Sequence, residues 1–514
     1  MLENKPLLFL RPLLLPALII TGLAACSGGS DDDDDNSSDG GYIALYNASV
    51  DSPAIFLTLD EDLTDEDDDA LEQTYSSVSY SESSGYNLVD GNIYTMELAW
   101  NSDNSTARDD LTIIYQDDIT ITDGEVSFVV LAGGITSPTV LTYNIPVIDE
   151  DDDDDNDLFN MRLLNMHPTI DAVDVYLSKS DETFNEAQLL GSFTSQQLSE
   201  NEKYDQDDYI FYMTLAGSSD VVFTSDEISY SLSSQYVMVI RENQGVGTSP
   251  FVLDRVSTAS AIEYANDGSQ SRFKVFNAIE SNKTFNAEVV NNDFLTNYNG
   301  LVDVHVGAYS DTPQFASLAQ GAFSESIDIE QGDYSVNLTI SGTEEYLLQN
   351  HLVTLTENVD RSVFFYLSEE NVDHDNDGDV DENGDGMIDE IDVTINSLVV
   401  DNSVSESIYD TNINIINFID DDDFSAVNFY FVLNDEIIDT ATNVKTASFG
   451  SPASITLLNN TYTMYAVASR NSSDVILMTQ ELVLDEDSND QFLLLEEDST
   501  SSTGYKITFV EQAQ

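Results

Sequence analysis

The chain is 514 residues long and sets 15 lysines and arginines against 97 aspartates and glutamates, a formal net charge of −82. A field of that sign repels nucleic acid and anionic lipid, which makes both poor partners, and it strains the compact state in a way that a salty exterior or divalent cations relieve. An apolar content of 41%, with 25 Tyr and 24 Phe, excludes global disorder, and the length suits three or four domains.

Residues 1–25 have the layout of an export signal. Lys5 and Arg11 give a basic opening, and LLLPALIITGLAA is a short apolar core that ends in small residues. Pro16 interrupts this core, which falls short of the roughly 20 apolar residues that cross a bilayer. Leu23, Ala24, Ala25 and Cys26 resemble the lipobox of bacterial lipoproteins, whose signal is cut before a cysteine that carries a diacylglycerol. The resemblance implies lipidation at Cys26 and membrane attachment through two or three acyl chains such as palmitate, each buried methylene contributing about 0.8 kcal/mol. Ser27 stands where the family's inner-membrane retention cue is an aspartate, which implies outer-membrane sorting, on the periplasmic or the surface side. Cys26 is the only cysteine, so its acylation leaves no disulfide, and stability must come from apolar cores or metal. The rest of residues 26–41, SGGSDDDDDNSSDGG, reads as a flexible, self-repelling tether.

Beyond the tether one pattern occurs four times. Each copy opens with an apolar strand ending in asparagine: IALYN, MRLLN, FKVFN and INIIN, at Asn47, Asn165, Asn277 and Asn417. A second strand alternates: AIFLTL, AVDVYL, VDVHVG and AVNFYF, with Ile55, Leu57 and Leu59 on one face in the first copy. Later comes a strand entered through a turn residue and a tyrosine, at Tyr94, Tyr209, Tyr334 and Tyr462. Each copy closes with two strands around a polar turn, and Asp123-Gly124 predicts a hairpin there in the first. Helical periodicity is missing at useful length. The pattern predicts an all-β chain, a tandem array of about four immunoglobulin-like antiparallel β-sandwich domains over residues 42–147, 158–257, 271–370 and 393–514. Each module is long enough to bury its own core, so the array is expected to behave as beads on a string. The runs at 148–157 and 258–270 lack an apolar pattern and are expected to be exposed linkers.

NASVDSPAIFLTL and NMHPTIDAVDVYL resemble the opening of a bacterial cell-surface repeat family of unknown function. Its pattern is met at Asn47, Ala48, Ser49, Asp51, Pro53 and Ala54, and again at Asn165, Ala172, Val173, Asp174, Val175 and Tyr176. Copies three and four keep only the strand rhythm. The resemblance implies a β-sandwich module in an extracytoplasmic protein, with no catalytic residues to carry over. The asparagine is expected to close a turn at the end of the strand.

Residues 371–392, NVDHDNDGDVDENGDGMIDEID, are the one stretch with the spacing of a site. Calcium takes about six to eight oxygens, and carboxylates or amides at every second position around a glycine bend supply them. From Asp381, a 12-residue loop places Asp381, Asn383 and Asp385 at positions one, three and five and Gly386 at six. Met387 would offer its carbonyl at seven, and Asp389 and Asp392 fall at nine and twelve. This resembles the EF-hand loop, with Asp where the terminal Glu is usual. A second register runs through Asp373, Asp375, Asp377, Asp379 and Asp381 but meets Gly384 at its twelfth position. The flanks VFFYLSEE and VTINSLVV read as strand, which excludes a true EF-hand pair. Weak calcium binding that stiffens the joint between copies three and four competes with an acidic loop that holds no ion.

An enzyme finds little support. His167, His305, His351 and His374 are scattered, no Gly-x-Ser-x-Gly elbow or phosphate-cradling loop occurs, and Trp100, the single tryptophan, sits at a strand end as a packing residue. The expectation is a non-catalytic surface-displayed binding or structural scaffold for an unknown ligand or envelope protein. The competing reading is an extracytoplasmic hydrolase or carbohydrate-processing protein, whose carboxylate pair would be assembled in space from distant acids.

Overall fold

The computed structural model describes residues 40–512 apart from 62–70, 103–106, 149–156, 282, 284, 286, 292–294, 308–311, 374–379, 382–387, 403–406, 422–423, 471–472 and 499. Among the described residues the only helical segments are two 3₁₀ turns, and no helix is long and apolar enough to cross a membrane. The strands make eight sheets, two to a copy, and the chain is an all-β tandem array of four β-sandwiches.

In copy 1 one sheet is ordered Asn87–Val89, Gly41–Asn47, Glu125–Ala132, Thr139–Pro146, and it is faced by Glu72–Thr74, Ile55–Asp60, Ile93–Asn101, Leu111–Thr120. The same order recurs in the other copies, where Leu158–Asn165 lies beside Gln235–Glu242, Gln270–Ala278 beside Asp360–Asn371, and Asp410–Asn417 beside Gln491–Glu497. Leaving aside the two-residue strands Ile228–Ser229 and Glu288–Val289, all ladders between the strands of a copy are antiparallel except this one, in which the first strand of each copy runs parallel to the seventh. These two strands are apolar on both faces, which suits central positions covered on both sides. The second strand of each copy alternates and has one face in its own core.

That difference organises the molecule. In copy 1, Ile43, Leu45, Val129 and Leu131 fill the sandwich interior. Their neighbours Ala44, Tyr46, Phe128 and Val130 point the other way and pack with Leu164, Met166, Val237 and Val239 of copy 2. Copies 3 and 4 repeat the arrangement, with Phe276, Phe364 and Tyr366 against Ile416, Phe418 and Phe492. The copies are therefore joined in two pairs by apolar layers. Beads on a string is not the arrangement, because a strand with two apolar faces needs a second partner.

Three further expectations change. Leu111–Thr120 and Glu125–Ala132 do not form a hairpin: the first pairs with Ile93–Asn101 and the second crosses to the other sheet beside Gly41–Asn47. Gly124, at φ +72°, makes the turn, but the two-sided apolar strand after it is pulled into the central position. Within 258–270, Ala261–Tyr264 adds a strand to copy 2, so that stretch is not a bare linker. Glu390–Asp401 pairs along its length with Asp360–Asn371, and Ile391, Val393 and Ile395 belong to the core of copy 3. Copy 3 thus runs past residue 370 to Asp401. The acidic stretch at 371–392 connects two of its strands and does not join copies 3 and 4.

The repeated asparagine and tyrosine have defined structural work. Asn47, Asn165, Asn277 and Asn417 are fully buried. Each accepts a hydrogen bond from the backbone N–H two residues on, at 3.0–3.1 Å. Each also donates to a carbonyl across the sandwich: Val78, Phe193, Leu318 and Ala447. The tyrosines form corners, since Tyr94, Tyr209, Tyr334 and Tyr462 donate their hydroxyls to the carbonyls of Asp90, Asp205, Glu330 and Leu458, four residues upstream.

Candidate functional site

Cys26 lies outside the described residues, as do Asp375, Asp377, Asp379, Asn383, Asp385 and Met387. Asp373, Asp381, Asp389 and Asp392 are described and half-buried. The stem of their loop is closed by the Asn371–Ile391 pair and by Val372 N–H donating to Glu390 O at 3.2 Å. Asp389 N–H donates to Val380 O at 3.2 Å, so the chain doubles back on itself near Asp381. Glu288–Val289 adds a short parallel strand along Glu390 and Ile391. Asp392, position twelve of the expected loop, sits in the ladder opposite Glu370.

The described histidines have structural partners. His167 is buried, and its Nδ1 accepts from Thr169 and Ile170 N–H at 3.2 and 3.1 Å, closing the turn after Asn165. His305 meets Thr339 and His351 meets Ser397. Trp100 stacks on Tyr409 of copy 4, ring centroids 4.4 Å apart and 22° from parallel. Tyr409 and Ile408 pack against the core of copy 1, so the last copy touches the first.

Three of the scarce cations, Arg241, Lys283 and Lys274, sit where copies meet. Arg241 of copy 2 forks onto Asp254, at 2.6 and 3.2 Å, and also bonds Glu263 and the Tyr80 hydroxyl of copy 1, the latter at 2.8 Å. Tyr46 of copy 1 donates to the same Asp254. Burial pushes the Asp254 carboxyl up, while the Arg241 guanidinium and the Tyr46 hydroxyl pull it back. In the other pair, Lys283 reaches Glu369 at 2.7 Å and Glu497 of copy 4 at 3.5 Å, with Glu280 alongside. Burial, then the Glu497 carboxylate, pushes Glu280 up to about 7. Lys274 lies over the rings of Phe323 and Phe492, 4.7 and 6.0 Å from their centroids.

The contact between copies 2 and 3 is polar. Asn358 of copy 3 donates to Asn243 Oδ1 at 2.9 Å and accepts from Gly247 N–H at 2.8 Å, and Gly268 N–H donates to Glu357 at 3.1 Å. Glu357 meets Asp226 and Asp267 of copy 2, with one carboxylate oxygen from each within 4.8 Å of the others. Burial, then the hydrogen bond with Asp226, pushes Glu357 up to about 7. This is the one such cluster among the described residues, and it has the donor set for a cation. Sequence reading missed it because its members come from three distant turns. A glycosidase pair stands about 5–5.5 or 6.5–9.5 Å apart, whereas Glu357 and Asp226 are in hydrogen-bond contact, which leaves no room for a sugar between them.

Where the copies converge, a cleft of about 640 Å³ opens. Copy 1 contributes Tyr80 and Ser81, copy 2 Arg241 and Glu263, copy 3 Asn358 and Asp360, and copy 4 Asp410, Asn412 and Thr456.

No family model matches the chain, and no curated protein matches it. Among solved structures it is similar to the Bacillus anthracis TIE protein, at 10% identity over 90% of this chain and 75% of that one, TM-score 0.13. It is also similar to SpuA, a multi-modular glycogen-degrading pneumococcal virulence factor, at 8% identity over 86% of this chain and 38% of that one, TM-score 0.15. Likenesses this distant carry no argument about activity.

Proposed function

We propose that this chain is a non-catalytic cell-envelope lipoprotein, held in the outer membrane through acylated Cys26, with its four sandwiches displayed as one binding or scaffolding unit. Leu23, Ala24, Ala25 and Cys26, followed by an acidic tether, are the observation that carries the address. The employment of His167, Tyr209, Asn277 and their counterparts in turns and corners supports the non-catalytic part, since these side chains are occupied by the fold. Metabolic labelling with palmitate tests the anchor. The wild-type chain should take up label and fractionate with membranes, and Cys26→Ala should lose both; an unlabelled wild type overturns the address.

The loop between Asp360–Asn371 and Glu390–Asp401 is proposed to bind calcium through carboxylates that include Asp373, Asp381, Asp389 and Asp392. Its expected affinity is weak, about 10⁻⁴ to 10⁻³ M, as in extracellular modules. On a hairpin tip of copy 3, calcium would stiffen that hairpin and neutralise its carboxylates. Calorimetric titration of the full-length, detergent-solubilised chain should show binding heat that Asp381→Ala with Asp385→Ala removes and Glu357→Gln leaves in place.

A further inference from the structure

We propose that the contact between copies 2 and 3 is a proton-operated latch: the turn carrying Glu357 and Asn358 seats on copy 2 while Glu357 and Asp226 share a proton, and it releases when that proton leaves. The seat itself is neutral. Asn358, in the left-handed region at φ +58°, donates to Asn243 Oδ1 at 2.9 Å and accepts from Gly247 N–H at 2.8 Å. Asn243 holds its own loop in shape, donating to the carbonyls of Gly247 and Ser249 at 3.1 and 3.0 Å. A Cβ on Gly245 would overlap Asn358, and one on Gly247 would stand 2.9 Å from Asn358 Oδ1, so the turn comes this close only because both positions are glycine.

The proton is required by geometry. Carboxylate oxygens of Glu357, Asp226 and Asp267 lie within 4.8 Å of one another, and Glu357 is in hydrogen-bond contact with Asp226. Ionised carboxylates only accept hydrogen bonds, so that contact exists while one of the two carries a proton, and without it like charges face each other. Gly268 N–H donates to Glu357 at 3.1 Å, and no cation is among the strongest influences on that carboxyl. The loop from Asn243 to Gly247 is uncharged, and Glu242 at its base accepts from the Gln244 amide at 3.3 Å. On copy 3, Arg272 forks onto Asp328 and Asp360 accepts from the Asn402 amide at 2.7 Å. The seated state therefore binds a proton that the released carboxyl, with its ordinary value of 4.5, gives up. Seating is favoured in acid, and the advantage is lost as pH rises from 4.5 to about 7. Asn358, Val359 and Asp360 also wall the cleft where the copies converge, so release of their turn opens that cleft.

The latch is independent of the membrane address and is tested in a Cys26→Ser background. Spin labels are carried by Ser219→Cys in copy 2 and Glu344→Cys in copy 3, both at exposed positions. With EDTA present, pulsed electron spin resonance should find one narrow distance distribution at about pH 5. A more separated population should then grow severalfold, and at most about tenfold, per pH unit toward about pH 7, the exposure of Asp226 and Asp267 moderating the effect. Glu357→Gln, whose amide donates to Asp226 without needing a proton, should keep the narrow distribution up to about pH 8. Asn358→Ala should show the separated population already at about pH 5. Circular dichroism confirms that each variant is folded. A wild-type distribution that is unchanged between these pH values, or a Glu357→Gln chain that separates as the wild type does, would overturn the inference.

Discussion

Between copies 1 and 2, Tyr46 and Phe128 meet Met166 and Val239 across an apolar layer, with one buried arginine cluster on its flank. Between copies 2 and 3 the side chain of Asn358 reaches Asn243 and the backbone of Gly247, and carboxylates crowd nearby. The first kind of seam gains from removing apolar surface from water. The second is made of hydrogen bonds that water can replace, each worth about 1 kcal/mol net. The four copies therefore behave as two fused pairs with softer contacts between the pairs.

Several substitutions break or sharpen this contrast. The largest effects fall on the fused seams. Phe364→Ala empties a site buried on all sides and should cost about 3–5 kcal/mol in urea unfolding. Arg241→Ala strands Asp254 without its cation and should cost a similar amount, about 3–5 kcal/mol, while pairing it with Asp254→Leu should recover most of the loss. An equal loss of amide protection in copies 1 and 2, read by hydrogen exchange, would show that the pair unfolds together. Next, Tyr462→Phe removes one corner hydroxyl and should cost about 1 kcal/mol without altering either kind of seam.

The pH response belongs to the carboxylates at the seams. Glu357 and Glu280 have an ordinary value of 4.5 and are pushed up to about 7 in the fold. Between those values the folded chain holds more protons than the unfolded one, so their contribution to stability falls as pH rises. Glu357→Gln should flatten the decline in melting temperature between pH 5 and 7.5, with an effect on the order of 1 kcal/mol after solvent screening. The smallest change in stability is expected from Tyr409→Ala. It should leave urea unfolding within about 1 kcal/mol of wild type yet shift the emission of Trp100, because that ring loses its stacking partner. An unshifted spectrum would place copy 4 away from copy 1 in solution.

Much of the fold was legible in the chain because strand rhythm is local. The apolar openings IALYN and INIIN, the alternation of AVDVYL, and the turn-plus-tyrosine signal all mark elements that the structure contains. The seams were written there too, in the contrast between runs such as FVVL and alternating strands, but which surface covers the second face is a long-range fact. The crossing at Asp123-Gly124 was hidden for the same reason: the dipeptide encodes a turn, and tertiary burial decides which sheet the chain enters next. The acidic loop was visible as spacing around Gly386, while its place on a hairpin depended on how far Glu390–Asp401 pairs. Asp226, Asp267 and Glu357 carry no shared spacing, and only folding brings them together.

The parallel ladder at the heart of each sandwich has a temporal consequence. Tyr42 lies opposite Val126, Asn160 opposite Gln235, Arg272 opposite Asp360, and Ile413 opposite Gln491. Each central ladder closes a loop of about eighty residues, a topology that folds slowly because distant contacts must be found before they reward the chain. A nascent copy cannot finish until the parallel partner of its opening strand has emerged from the ribosome, and until then that strand has a neighbour on one edge alone, Asn87–Val89 in copy 1. Such a polypeptide stays threadable for most of its synthesis and locks late, one copy after another.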